Sequence, residues 1–246
     1  LVSVRNPLFD ELAAKGWLLQ DTRTGQAYRY QWDLEPFGAV LTPLPESGLL
    51  DFTHPAAYAY WRDRHRELFD LGVDMIKPDF GEQVEPHARA FDGAQGDALH
   101  NVYALLYNRC VYEAASRYAK GGAFLFSRAA WAGSQRYPAQ WGGDPQADWG
   151  GLAASIRGGL SWGLTGAPYY ATDVGGFYGD QRDPLLYVRW AQASVFSAHM
   201  RLHGIGAREP WSYGAQAERA AMAAFELRYR LLPYLWRAVE QSSATG

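Results

Sequence analysis

Short apolar segments alternate with longer helix-like segments along the chain, and this alternation restricts the fold more than any other feature of the sequence. The apolar segments have the composition of buried strands and lie at residues 73–79 (VDMIKPD), 123–128 (AFLFSR), 167–173 (APYYATD) and 200–204 (MRLHG). The segments predicted as helices lie at residues 53–72, 97–119, 148–164, 183–198 and 218–241. Apolar strands that alternate with helices are typical of a parallel sheet with helices outside it.

Local signals predict the ends of the first helix and a bend in the last one. Thr53 is suited to the N-cap of the first helix, with Pro55 in its first turn and Gly72 at its C-terminal end. Pro233 is expected to kink the last helix, because proline cannot donate the hydrogen bond that an interior position requires.

A polar side chain stands at the end of each predicted strand: Asp79, Arg128, Asp173 and His203. In a (β/α)8 barrel the carboxyl ends of all strands converge on one face, whereas a doubly wound sheet spreads them along a line. A doubly wound sheet usually has a glycine-rich phosphate loop, and no such motif follows a strand in this sequence. We therefore expect an α/β fold of the (β/α)8 TIM-barrel type.

Composition excludes several classes of partner. The 246 residues are 48% hydrophobic and carry a formal net charge of -3, which suits one globular domain or a large piece of one. This balance gives no electrostatic reason to expect nucleic acid or an anionic membrane. No apolar stretch approaches the roughly 20 residues that span a bilayer. Cys110 is the only cysteine and is expected to be a buried thiol.

Two aspartates are candidates for chemistry. Asp79 ends a strand suited to burial, where a charge is costly unless it is compensated. Lys77 lies two residues earlier on the same side of the strand, so a structural ion pair is one explanation. Asp144 precedes a helix that either it or Asp148 could cap. Two acids on one barrel face, with Arg128 between them in sequence, instead favour acid/base or nucleophilic chemistry.

The segments that carry these residues resemble glycoside hydrolase family 31, the retaining α-glucosidases and α-xylosidases. Residues 77–82 (KPDFGE) resemble the nucleophile motif of the bacterial α-xylosidase branch, K-T-D-F-G-E. Residues 126–144 (FSRAAWAGSQRYPAQWGGD) resemble the segment from a substrate-binding arginine to the general acid/base. Residues 155–177 and 197–204 resemble two segments at the active-site rim. In two departures, Pro78 replaces a threonine, and Thr172 stands where branch members often have histidine.

The resemblance implies a retaining, exo-acting α-glycoside hydrolase that works by double displacement, with Asp79 as nucleophile and Asp144 as general acid/base. It implies that the sugar contacts Lys77, Phe80, Arg128, Trp141, Asp173 and His203. Lys77 matches a lysine of the α-xylosidase branch, so α-xylosidase is the preferred activity, with α-glucosidase or α-transglucosidase as the alternative. The chemistry implies no cofactor and no metal.

The resemblance also implies that the catalytic domain is incomplete here. Family members carry an N-terminal β-sandwich, further barrel strands and C-terminal β-domains, whereas we count about five strands. Residues 1–246 are therefore expected to be the C-terminal part of the barrel, roughly strands 4 to 8, without the first strands. The expected partner is a small oligosaccharide or α-glycoside, with no nucleic acid and no membrane. The oligomeric state is not specified, and a cytoplasmic location is favoured, with the native N-terminus outside this sequence.

Other functional classes fit parts of the pattern. A Schiff-base lyase could use Lys77, which lies on a predicted barrel strand. A metal hydrolase could use His199 and His203, which are four residues apart, although no HExxH motif is present. A sugar-binding relative without activity is disfavoured, because both candidate acids are retained.

Overall fold

The computed structural model describes residues 1–33, 44–167, 169–179 and 182–245. The chain divides into two compact units, Leu1–Pro138 and Ala139–Gly246, here called the first and second units. The helices and strands of the first unit are β1 (Val2–Ser3), α1 (Pro7–Ala14), β2 (Gln20–Asp21), β3 (Ser47–Gly48), α2 (Pro55–Arg64), α3 (Arg66–Asp70), β4 (Ala88–Arg89) and α4 (Gly96–Tyr118). Those of the second unit are β5 (Gln140–Trp141), α5 (Trp149–Gly163), β6 (Tyr170–Ala171), α6 (Pro184–Ser194) and α7 (Ala215–Thr245). Short 3-10 helices lie at Ser134–Arg136 and Pro210–Tyr213.

The first predicted pair of strands lies parallel in the first unit. Ile76 and Leu125 form a parallel bridge, and the Phe126 N–H donates to the Ile76 carbonyl at 3.1 Å. The Arg128 N–H donates to the Pro78 carbonyl at 3.1 Å, so the pairing uses the acceptor of proline rather than its missing donor. The segments 73–79 and 123–128 thus pair at isolated positions and do not form long strands.

The N-terminal part of the first unit contains elements that the sequence patterns did not predict. Strands β1 and β3 pair antiparallel, as do β2 and β4, and each is two residues long. Helix α1 begins because the Asn6 side chain accepts the Leu8 N–H at 3.0 Å, with proline in the first turn. Its buried residues Phe9 and Leu12 join the core of this unit.

The helix predicted at 53–72 differs from the structure in two respects. Thr53 is not its cap, because the Thr53 N–H and hydroxyl both donate to Asp51 Oδ1, at 2.8 and 2.7 Å. The His54 side chain instead accepts from the N–H groups of the first turn. The segment also breaks into α2 and α3 at the buried His65. Gly72 follows with φ of 96°, and this confirms the predicted end.

Helix α4 packs its apolar side into the core of the first unit. Leu99, Tyr103 and Cys110 are buried there, and the Tyr103 hydroxyl donates to the Leu50 carbonyl at 2.8 Å. The prediction of a buried Cys110 thiol is confirmed. Burial raises the pKa of this thiol well above its usual range.

Parallel pairing also organises the second unit. Strands β5 and β6 are parallel, with Trp141 opposite Ala171, and Asp173 and Arg201 form a further parallel bridge. Strand β5 was not predicted. The predicted strands 167–173 and 200–204 are shorter than expected, and Pro168 in the former lies outside the described residues.

The helices of the second unit cover a core centred on Trp190. Tyr187 stacks on Tyr213 with ring centroids 4.0 Å apart. Arg228 of α7 donates to carbonyls of residues 194, 195, 197 and 198, and thereby caps the C-terminal end of α6. Pro233 lies inside α7, which continues to Thr245; the kink stays a prediction. Among the described residues, no helix combines the length and apolar character that a membrane crossing requires.

Candidate active site

The Asp79 cluster consists of Lys77, Asp79, Phe80, Glu82 and Arg128, all in the first unit. The parallel pairing that begins at the Ile76–Leu125 bridge continues to the hydrogen bond between the Arg128 N–H and the Pro78 carbonyl, so Asp79 and Arg128 lie at the same end of the paired segments. Lys77 Nζ donates to Asp79 Oδ2 at 2.8 Å, and Arg128 Nη1 lies 3.2 Å from Asp79 Oδ1. The ion pair considered for Lys77 and Asp79 is therefore present.

Three donors hold the Asp79 carboxylate in its charged form. Burial alone raises its pKa, but the Lys77 hydrogen bond, the charges of Arg128 and Lys77, and the Phe80 N–H lower it by more. The Phe80 N–H donates to Oδ1 at 2.9 Å. The net pKa of Asp79 therefore lies below its ordinary value. A carboxylate that stays ionised while partly buried is suited to nucleophilic attack.

Glu82 fixes the Arg128 guanidinium. Arg128 Nε and Nη2 donate to the two Glu82 oxygens at 2.8 and 3.0 Å, a bidentate pair with defined geometry. The Gln83 side-chain amide donates to Glu82 at 2.8 Å, and its carbonyl oxygen accepts the Gly81 N–H at 2.9 Å. Arg128 is thus shared between Glu82 and Asp79.

Phe80 lies directly beside these charges. Its ring centroid is 4.2 Å from the guanidinium carbon of Arg128 and 4.9 Å from the ring of Trp32, edge to face. Its backbone has φ of 61°, a left-handed conformation that few residues other than glycine adopt. Among the described residues, Phe80 is the only non-glycine with positive φ. Such strain concentrates at functional sites, where the surrounding structure maintains it.

The predicted residues of the second unit form their own arrangement. Asp173 is fully buried and forms a charge-assisted hydrogen bond with Arg201 Nε, across the parallel bridge between these residues. The Arg201 guanidinium carbon lies 4.9 Å from the Trp141 ring centroid. Two of the predicted sugar-contacting residues, Trp141 and Asp173, are therefore joined through an arginine that was assigned no role.

Asp144 lies on an exposed loop between β5 and α5. The next residue is held in place, because the Pro145 carbonyl accepts the Phe177 N–H at 2.7 Å. Asp148, not Asp144, caps α5, with Oδ1 accepting the Gly151 N–H at 2.6 Å. The capping explanation therefore applies to Asp148 and does not account for Asp144.

His203 is exposed and packs near Phe177, with ring centroids 5.4 Å apart. His199 is more enclosed, and burial lowers the pKa of its imidazole to about 4. Across the described parts of the chain, no three residues among His, Cys, Asp and Glu come together in a group that could hold a metal ion.

The structure thus brings Lys77, Asp79, Phe80 and Arg128 together in the first unit. It brings Trp141 and Asp173 together in the second unit. Asp144 and His203 lie in segments that both bond to the turn after Asp173.

The sequence patterns missed Glu82, Arg201 and Trp32. Glu82 and Arg201 could have been found, because each charged residue is within three positions of a predicted site residue. Trp32 carries no such signal, since its contact with Phe80 spans 48 positions of the chain.

Comparison with known proteins identifies the family. The model for the glycosyl hydrolases family 31 TIM-barrel domain matches residues 2–238. The chain is 37% identical over 237 residues to an α-xylosidase of Emericella nidulans, covering 95% of this chain and 29% of that protein. It is 35% identical over 254 residues to the α-xylosidase XylQ of Lactiplantibacillus pentosus, covering 99% of this chain and 31% of that protein.

A solved structure agrees with this match. The crystal structure of a family 31 α-xylosidase from a soil metagenome, complexed with xylose, superposes with a TM-score of 0.84 at 28% identity. The match covers 99% of this chain and 39% of that one. The chain belongs to glycoside hydrolase family 31. It spans about 30% of the length of the curated relatives that it matches.

Proposed function

We propose that this chain carries the catalytic carboxylates of a retaining, exo-acting α-glycoside hydrolase, with α-xylosidase as the preferred activity. The observation that carries the proposal is the Asp79 cluster. It presents a carboxylate at the end of a segment that pairs in parallel with residues 125–128, and Lys77 and Arg128 keep this carboxylate ionised. Family membership and the similarity to two named α-xylosidases support the same activity.

The proposed mechanism is a double displacement. An Asp79 oxygen attacks the anomeric carbon and forms a glycosyl ester as the glycosidic C–O bond breaks. Asp144 gives its proton to the departing oxygen. Asp144 then removes a proton from water as the water oxygen attacks the same carbon, which releases Asp79 as a carboxylate. Each step inverts the anomeric centre, so the two together retain its configuration.

The remaining polar groups are assigned to sugar binding. Lys77 and Arg128 lie within hydrogen-bond distance of Asp79, so hydroxyls of a sugar bound at Asp79 would meet the same donors. Phe80 offers a ring to the C–H face of the sugar. Trp141, Asp173 and His203 complete the proposed set. An α-glucosidase or α-transglucosidase would use the same residues, and the exclusion of a hydroxymethyl group decides between these substrates.

The Schiff-base alternative for Lys77 is disfavoured by its contacts. A lysine that forms an imine must attack as a neutral amine. Lys77 Nζ instead donates at 2.8 Å to Asp79, in an ion pair that uses the ammonium form.

We further propose that residues 1–246 correspond to roughly strands 4 to 8 of the family barrel, within a longer protein. The coverage of about 30% of the curated relatives supports this assignment. The parallel pairings at Ile76–Leu125, Trp141–Ala171 and Asp173–Arg201 are consistent with it. On this proposal the isolated chain lacks glycosidase activity that the full-length protein has, because a partial barrel leaves unpaired strand edges.

The proposal is tested in the full-length protein that contains this chain. The wild type is assayed on aryl α-xyloside and aryl α-glucoside, and the ratio of kcat/KM values identifies the preferred sugar. Asp79→Ala should abolish turnover, and azide should restore it with formation of a glycosyl azide of inverted configuration. Unchanged turnover in Asp79→Ala would remove Asp79 from the mechanism.

A further inference from the structure

The turn at residues 175–178 is the structural partner of the Asp144 loop. The Phe177 N–H donates to the Pro145 carbonyl at 2.7 Å, and the Ala147 N–H donates to the Tyr178 carbonyl at 2.8 Å. Gly176 has φ of 82°, and a Cβ at this position would clash with the backbone of Ala147. The turn therefore lies against the two residues that follow Asp144 by one and three positions.

The same turn also holds the segment that carries His203. The Ile205 N–H donates to the Phe177 carbonyl at 2.7 Å. A Cβ at Gly204 would lie 2.9 Å from the carbonyl oxygens of both Gly176 and Phe177, so only glycine permits this approach. The ring of Phe177 in turn packs beside the His203 ring. One turn thus connects the backbones next to Asp144 and His203.

A single buried arginine holds this turn. Arg208 is 7% exposed, and its Nε donates to the Gly176 carbonyl at 2.7 Å. Its Nη2 donates to the Phe177 carbonyl at 3.3 Å, and its Nη1 to the Ala207 carbonyl at 3.0 Å. The Tyr187 hydroxyl donates to the Arg208 carbonyl at 2.8 Å, which anchors Arg208 to the core of this unit. The planar fork of a guanidinium can satisfy several carbonyls at once, which a lysine cannot do.

We propose that Arg208 is a positioning residue for the proton-transfer step, acting through the 175–178 turn on Asp144. This inference rests on the proposed function of Asp144. The Arg208 guanidinium donates to three backbone carbonyls, and on this proposal it acts through them without touching the substrate. Loss of the guanidinium leaves the Gly176 carbonyl without this donor and the Phe177 carbonyl with only the Ile205 N–H, so the turn relaxes and the Asp144 loop moves with it.

Proton transfer is the step that such a movement impairs. A misplacement of about 1 Å can cost on the order of 100-fold in rate. A poor leaving group needs a proton from the general acid, whereas fluoride leaves without one. Displacement of Asp144 therefore lowers the rate more for a poor leaving group than for fluoride. A general loss of stability would lower both rates equally.

The experiment uses the full-length protein and four variants: Arg208→Met, Arg208→Lys, Asp144→Ala and the control Arg228→Met. Arg228 is a matched control because it also donates to backbone carbonyls of the second unit, at the end of α6. Each variant is assayed on the phenyl α-glycoside of the preferred sugar and on the corresponding α-glycosyl fluoride. Circular dichroism and thermal unfolding show which variants are folded.

Arg208→Met is expected to lower kcat/KM about 10- to 100-fold on the phenyl glycoside and less than about threefold on the fluoride. Arg208→Lys should show the same substrate dependence with a smaller decrease in kcat/KM. If Arg208→Met does not fold, the comparison is made with Arg208→Lys. Arg228→Met should change kcat/KM by the same factor on the phenyl glycoside and on the fluoride.

Two different failures can be distinguished. Equal losses on both substrates for the Arg208 variants, with the expected substrate dependence for Asp144→Ala, overturn the role of Arg208. Equal losses for Asp144→Ala itself overturn the proposed function of Asp144 as acid/base.

Discussion

The guanidinium carbon of Arg128 lies 4.2 Å from the ring centroid of Phe80, and Phe80 presents that ring from a backbone with φ of 61°. A left-handed conformation costs an L-residue about 1–2 kcal/mol. A cation–π contact contributes about 0.5–1 kcal/mol at an exposed site and more where the cation is shielded from water. The ring contact therefore offsets part of the backbone strain, and the residue after Asp79 is held in one orientation.

This relationship predicts an unusual order of stability at position 80. Glycine is normally less stabilising than alanine, because it loses more backbone entropy on folding. At a left-handed position the Cβ penalty reverses the order, so Phe80→Gly should be more stable than Phe80→Ala by about 1 kcal/mol. Chemical denaturation of both variants measures the difference. An alanine variant as stable as the glycine variant would mean that the backbone at position 80 has relaxed out of the left-handed region.

Lys77 is expected to determine the pH below which kcat/KM falls, which is the acidic limb of the pH profile. Burial raises the pKa of Asp79, and the Lys77 hydrogen bond is the first of the interactions that lower it again. The Lys77→Met variant loses this hydrogen bond and charge, so the pKa of Asp79 rises and the nucleophile becomes protonated at higher pH. The acidic limb of the kcat/KM profile should therefore move to higher pH.

The control for this prediction is Lys15→Met. Lys15 pairs with Glu11 at 2.6 Å on an exposed helix face, so the substitution removes a lysine–carboxylate pair far from Asp79 in sequence. Its pH profile should match that of the wild type. An acidic limb that stays in place in Lys77→Met would show that Arg128 and the Phe80 N–H keep Asp79 ionised without Lys77.

The ion pair of Lys77 with Asp79 could be predicted from sequence, since residues two apart on a strand project to the same side. Arg128 was correctly predicted to lie at the end of the neighbouring segment, because the sequence has a polar residue at the end of each predicted strand. Its sharing between Asp79 and Glu82 was not predicted, because Glu82 lies beyond the strand. After the left-handed Phe80 the chain direction changes, and alternation no longer indicates where a side chain points.

The short strands were the least predictable elements of the fold. Strand β5 has two residues and lies between Pro138 and two glycines, so it has no alternating pattern. The antiparallel pairs β1–β3 and β2–β4 are equally short, and their partners are distant in sequence. The N-cap of α2 was mispredicted for a different reason. The hydroxyl of Thr53, the residue expected to cap this helix, donates to Asp51, and a residue preference for the N-cap position does not indicate such a competing partner.

Because of His199, we expect the folded protein to lose stability in mild acid. Burial and the charges of Arg228 and Arg201 lower the pKa of its imidazole to about 4, while a backbone hydrogen bond to Gln140 opposes them. In the unfolded chain the pKa of histidine is about 6.5. Between these values the unfolded state binds a proton that the folded state does not, so stability present above pH 6.5 is lost as the pH falls towards 4.

The His199→Gln variant should remove this dependence. As the pH falls from 6.5 towards 4, the free energy of unfolding of the wild type should decrease by up to about 1.4 kcal/mol per pH unit because of His199. The variant should not show this decrease. Denaturant unfolding of both proteins at pH 7, 6 and 5 measures the difference in slope. Parallel pH dependences in the two proteins would show that His199 is solvated enough to titrate normally.

Replacement of Glu82 should shift the pKa of Asp79 in the opposite direction to replacement of Lys77. The Glu82→Gln variant keeps the shape of the side chain and removes the charge that holds two of the Arg128 nitrogens. The guanidinium is then free to pair fully with Asp79, which lowers the pKa of that carboxylate further and makes it a weaker nucleophile. We expect kcat to fall about tenfold or more, since a hydrogen bond to a charged group contributes about 1.5–3 kcal/mol.

The pH profile separates this effect from a general loss of structure. In Glu82→Gln the acidic limb of kcat/KM should move to lower pH, the reverse of the shift in Lys77→Met, because Asp79 pairs more fully with Arg128 instead of losing the Lys77 cation. The control Glu113→Gln breaks an arginine–glutamate pair of the same 2.8 Å length on α4, and it should leave both the rate and the limb unchanged. A Glu82→Gln enzyme with an unshifted limb and a normal rate would show that Arg128 holds its position between Asp79 and Phe80 without the second carboxylate.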